Sequence, residues 1–135
     1  MSANELHPPL RHLIYVEDEV DIRTVAQLAL EAVGGFEVQL FGSGSELLEQ
    51  AAFDTPQLIL LDMMMPGLSG QETLEQLRAR GITTPVIFMT AKTELGNTDA
   101  QRTQGVIGTI AKPFNPMTLA ARVQELWDSY IQQRT

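Results

Sequence analysis

Four apolar residues, Leu58-Ile59-Leu60-Leu61, run straight into Asp62, and Met63-Met64-Met65-Pro66-Gly67 follows at once. A short, continuous apolar run predicts a strand covered on both faces, as in a parallel sheet. A carboxylate at the carboxyl end of such a strand lies in the crevice where open α/β sheets bind ligands. A single Asp ahead of a Pro-Gly turn is ordinarily a turn residue. Asp62 carries more weight because the other apolar runs also end on reactive side chains. His12-Leu13-Ile14-Tyr15-Val16 is followed by Glu17-Asp18-Glu19, Val86-Ile87-Phe88-Met89 by Thr90, and Val106 to Ala111 by Lys112. On one sheet edge these ends bring together three carboxylates, a hydroxyl and an ammonium. Crowded carboxylates repel one another unless a cation intervenes. Oxygen donors in this number suit Mg²⁺, which keeps several waters of its own.

The segments between these runs are predicted to be the helices that position them. Ile22, Val25, Ala26, Leu28, Ala29 and Ala32 recur at helical spacing over 21–33, and Gly34-Gly35 ends the helix. Phe36 to Phe41 alternates and predicts an edge strand. The spacing predicts helices over 43–52 (capped by Ser43 or Ser45), over 70–80 (begun by Ser69), and over the polar stretch 94–104. A last helix follows Asn115-Pro116, read as N-cap and first helical residue. It carries Leu119, Ala120, Val123, Leu126, Trp127 and Tyr130 in one stripe. Five strands alternating with five helices imply an α/β fold with a doubly wound, five-stranded parallel sheet and helices on both faces.

Composition narrows the function. At 135 residues the chain has the size of one domain, and 44% hydrophobic content supports a core. The net charge of −8 speaks against a nucleic-acid surface, which needs clustered Lys and Arg. The chain has no cysteine, hence no disulfide framework, which fits a cytoplasmic location. No cationic, apolar leader opens it, and no apolar stretch is long enough to span a membrane.

The acidic pair in Val16-Glu17-Asp18-Glu19, Asp62 with Pro66 and Gly70 after it, Thr90-Ala91, and Lys112-Pro113-Phe114 together resemble the receiver domain of two-component response regulators. The resemblance covers residues 12–131. It implies the flavodoxin-like strand order 2-1-3-4-5, residues 1–11 as a flexible lead-in, 132–135 as a tail, and no output domain. It implies that Asp62 is the phospho-acceptor. Asp18, Asp62 and the Met64 backbone carbonyl would ligate Mg²⁺ directly, with Glu17 acting through a bound water. Thr90 and Lys112 would contact the phosphoryl oxygens, and the peptide before Pro113 would be cis. Such a module is a signalling protein and not an enzyme. Its donor would be a histidine kinase or histidine phosphotransfer protein. Its output would be a downstream protein docked on the fourth helix, fifth strand and fifth helix, with the chain a monomer or weak homodimer.

Two positions depart from the family pattern. Thr109 stands where an aromatic switch residue is usual, and Lys92 stands at a position that often affects dephosphorylation. A switch without that ring leaves two routes, expected to act in combination: movement of the segment 94–104, and covering and uncovering of Val106-Ile107, read as an exposed apolar pair. Two other classes share parts of the pattern. A small-molecule phosphatase with an Asp nucleophile would resemble Asp-x-Asp, but the residue two past Asp62 is Met64. A flavodoxin-like binding module would need a Gly-rich phosphate loop, and none follows a strand.

Overall fold

The apolar runs pair side by side exactly where parallel pairing can cover both of their faces, so they set the architecture. In the computed structural model, which describes residues 8–91 and 98–134, the strands are β1 (His12–Val16), β2 (Glu37–Phe41), β3 (Leu58–Asp62), β4 (Val86–Ala91) and β5 (Val106–Lys112). They form one parallel sheet in the order β2-β1-β3-β4-β5. β3, at its centre, is buried at every residue. β2 is an edge and alternates in exposure, as its sequence pattern predicts.

Alternation along each strand sorts the side chains onto two faces. Leu13, Tyr15, Leu58, Leu60, Ile87, Met89 and Ile110 pack with Ala26, Leu30, Val123 and Trp127. Ile14, Val16, Ile59, Leu61, Phe88 and Val106 pack with Leu47, Leu74 and Leu77. The first face is therefore covered by α1 (Val20–Leu28) and α5 (Leu119–Gln133), the second by α2 (Gly44–Gln50) and α3 (Gly70–Ala79). Leu10, placed in the lead-in by the sequence, joins the first core at 7% exposure. Gln57 ties the same stretch down: its Oε1 accepts from the backbone of Arg11 and His12, and its Nε2 donates to the Pro9 carbonyl.

The helix ends follow local chemistry. Ser43 caps α2 by accepting from the Glu46 N–H, and Ser69 forms a reciprocal capping box with Glu72 at the start of α3. α1 runs into a π turn, Ala29–Val33, before Gly35 takes a left-handed φ of 74°. α5 starts later than Asn115-Pro116 predicts. The Asn115 side chain accepts from the Met117 N–H, and its carbonyl takes the Thr118 and Leu119 N–H groups, so Asn115 organises a turn that leads into the helix. Of the predicted helix over 94–104, the described part is α4 (Asp99–Thr103), begun by a Thr98–Gln101 capping box and burying no residue.

The expectation that Val106-Ile107 is an exposed pair is corrected. Val106 is 2% exposed in the core against α2 and α3, and Ile107 is half-buried against the opposite core. Alternation along β5 turns these two neighbours to opposite faces, and each finds cover in a core.

Candidate functional site

Parallel strands deliver their carboxyl ends to a single edge, and register decides which residues face one another there. Val16 pairs with Leu61, Asp62 with Met89, and Ala91 with Lys112. Glu17 continues the ladder by donating its N–H to the Phe41 carbonyl at 3.0 Å. By alternation Glu17 shares a face with Tyr15, Asp62 with Leu60, and Lys112 with Ile110. All three charged side chains therefore leave the sheet on the α1/α5 side.

There they meet. Lys112 Nζ donates to Glu17 Oε1 at 2.7 Å and to Asp62 Oδ2 at 3.1 Å. Glu17 is fully buried and Asp62 2% exposed, whereas Asp18 is half-buried. One carboxylate oxygen from each of Glu17, Asp18 and Asp62 lies within 4.8 Å of the others. The second Asp62 oxygen accepts from the Met64 N–H at 3.2 Å, and Glu17 Oε2 accepts from the Glu19 N–H at 3.3 Å. Thr90, 2% exposed, is the penultimate residue of β4, at the same edge. The Lys112–Pro113 peptide is cis.

The donor set fits a hard divalent cation. It consists of carboxylate oxygens, and one ammonium against three carboxylates leaves two formal negative charges uncompensated. Burial, the largest single influence on Lys112, lowers its pKa. The hydrogen bonds and charges of Glu17 and Asp62 together outweigh it, so the ammonium is held above its usual range. Just beneath, Tyr15 is fully buried. Burial pushes its phenol well above the ordinary range, and the charges of Glu17 and Asp62 act in the same direction.

The structure brings together Glu17, Asp18, Asp62 and Lys112, with Thr90 on the same edge. Met64 turns its side chain to solvent at 72% exposure, while its backbone stays beside Asp62. Thr109 is half-buried on β5 and pairs with Phe88. Lys92 lies outside the described residues. Sequence reasoning missed Arg23, whose Nη1 donates to the Glu17 carbonyl at 2.7 Å and ties α1 to the acidic turn. Its signal was a lone cation one turn into a helix that follows an acidic pair. Gly70 has a steric role: a Cβ there would lie 2.6 Å from the Asp62 carbonyl oxygen and 2.7 Å from Met63 Cα.

Comparison with known proteins identifies the family and the fold. The family model described as response regulator receiver domain matches residues 13–124, and the chain belongs to that family. It is a receiver domain of the two-component response regulators, a phospho-accepting signalling module. It is 40% identical over 84% of its length to the transcriptional regulatory protein YkoG of Bacillus subtilis, covering 49% of that protein. It is 34% identical to the alkaline phosphatase synthesis transcriptional regulatory protein PhoP of the same organism, over 86% of this chain and 48% of PhoP. The chain thus spans about half the length of these curated relatives. Among solved structures, the chemotaxis response regulator CheY4 of Vibrio cholerae superposes with a TM-score of 0.74 at 28% identity, over 87% of this chain and 98% of that one.

Proposed function

We propose that Asp62 is the phospho-acceptor and that Glu17, Asp18, Thr90 and Lys112 serve its phosphorylation. The observation that carries this is the pair of hydrogen bonds from Lys112 to Glu17 and Asp62, inside a cluster left with excess negative charge. An Asp62 carboxylate oxygen attacks phosphorus in line, the bond from phosphorus to the donor's nitrogen or oxygen breaks, and the leaving group departs with its electron pair. Asp18, Asp62 and the Met64 carbonyl would hold Mg²⁺, with Glu17 joined through water. When bound, the ion neutralises charge between the carboxylate and the incoming group. Lys112 is held as a point charge beside Asp62 and can pass to the new phosphoryl oxygens. The Thr90 hydroxyl donates to the same oxygens.

The donor would be a histidine kinase or histidine phosphotransfer protein. Val20, Met64 and Met117 support a protein donor: all three follow strand ends at this edge, and they are 61%, 72% and 71% exposed. The downstream partner would dock on α4, β5 and α5. The domain spans residues 12–131 in this reading. Intact mass after incubation with acetyl phosphate and Mg²⁺ tests the proposal. Wild type gains one phosphoryl group and Asp62→Asn gains none; a modified Asp62→Asn chain would overturn the assignment.

A further inference from the structure

The fully buried hydroxyl of Tyr15 has no hydrogen-bond partner among the described residues. An unpaired donor in a core is costly, and in a native structure it calls for an explanation. The position makes one available. Tyr15 and Glu17 are two residues apart on one strand and face the same side, about 6.6 Å apart along it. Tyr15 pairs with Leu60, and Asp62 lies two residues beyond Leu60 on that same face. The phenol therefore sits one repeat beneath the carboxylates that Lys112 bridges.

Lys112 has two acceptors here, Glu17 Oε1 and Asp62 Oδ2. In the proposed reaction its ammonium is drawn to the phosphoryl group, and Glu17 Oε1, buried away from solvent, loses that donor. The water that would join Glu17 to Mg²⁺ can serve one carboxylate oxygen, and the buried oxygen that Lys112 leaves still needs a replacement. We propose that Tyr15 is a positioning residue whose O–H donates to Glu17 once Lys112 has moved to the phosphoryl oxygens. The hydroxyl is then unpaired in the resting state and paired in the phosphorylated one, so it favours the latter. This rests on the reading of Asp62 as acceptor and of Lys112 as the cation that moves.

The test compares the full chain with Tyr15→Phe, which keeps the ring and removes only the donor. Both are titrated with beryllofluoride and Mg²⁺, and both are unfolded in denaturant without them. The proposal expects Tyr15→Phe to be at least as stable as wild type in the unliganded state, yet to bind beryllofluoride about tenfold more weakly, the lower end for a hydrogen bond to a charged group. It also expects the ¹³Cζ resonance of Tyr15 in wild type to move when beryllofluoride binds. Equal beryllofluoride affinity of the two chains, or an unmoved resonance, overturns the role of Tyr15 and leaves the Asp62 assignment intact. Wild type that binds no beryllofluoride overturns both.

Discussion

Asp18→Asn separates stability from function at this site. The side chain nearly keeps its shape and loses one negative charge. The three carboxylates lie within 4.8 Å of one another, so Asp18 repels both Glu17 and Asp62. At that separation each pair repels by roughly 3.5 kcal/mol at an effective dielectric near 20. Lys112 bonds Glu17 and Asp62, and no bond from it to Asp18 offsets the repulsion. Asp18 is only half-buried, so solvent screens most of the interaction. The expected net gain in stability is about 1–2 kcal/mol without divalent cation. Mg²⁺ should reverse the order, because the wild type gains binding energy that the variant loses. Denaturant unfolding of both chains, with EDTA and with saturating Mg²⁺, is the assay. An Asp18→Asn chain less stable than wild type in EDTA, or one stabilised by Mg²⁺ as strongly as wild type, refutes the reasoning.

Other perturbations reach the site through different physics. Gly70→Ala should cost about 2–3 kcal/mol, since its Cβ would strike the backbone at Asp62 and Met63, and it should slow phosphorylation by acetyl phosphate; unfolding and intact mass measure the two effects. Lys112→Met strips two buried carboxylates of their shared donor and should cost about 3 kcal/mol. The folded pKa of Lys112 is raised, so its contribution is complete below the unfolded value of about 10.4 and is lost only as pH rises through the folded value; the deficit of Lys112→Met should match at about pH 6 and pH 9. Met64→Asn puts an amide able to orient water beside Asp62, where Met64 is exposed and apolar, and should shorten the acyl phosphate lifetime several-fold. Decay followed by mass spectrometry checks this, and equal lifetimes would count against it.

What could be read in the sequence was whatever a single segment encodes. The apolar run before Asp62 predicts a buried central strand because both of its faces must be covered, and β3 is buried throughout. The alternation of 36–41 predicts an edge, and β2 lies at one. Strand ends bearing Glu17, Asp62 and Lys112 could be collected because parallel strands share a direction. What could not be read depends on pairs of segments. The Lys112 bridge to Glu17, and not to Asp62 alone, follows from register across the sheet. The cover over Val106 and Ile107 comes from cores that other segments build on the two faces of the sheet. Asn115-Pro116 has the composition of a helix start, yet the Asn115 side chain and carbonyl organise a turn, and propensity alone does not separate the two outcomes.

The same packing narrows how a signal can leave the site. With Val106 in one core and Ile107 against the other, covering and uncovering that pair would mean breaking both faces of the sheet. α4 has no such anchorage, since it buries no residue. Side-chain hydrogen bonds join its carboxyl end to α3: Arg78 Nε donates to the Gln104 carbonyl at 2.6 Å, and Gln71 Nε2 donates to Gln104 Oε1 at 3.1 Å. Both partners stand on α3, which Leu74 and Leu77 fix in the core. An element without apolar burial sits at the low-stability end of a fold and moves at small cost. Held at Gln104, it would move by pivoting, with its amino end travelling furthest. That end follows β4 in the chain, the strand that delivers Thr90 to the acidic edge. A ligand shifts such an equilibrium only by binding one arrangement better than the other. In the proposed reading, a phosphoryl group that took the Thr90 hydroxyl in one position of α4 and not the other would supply that difference, with no ring needed at Thr109.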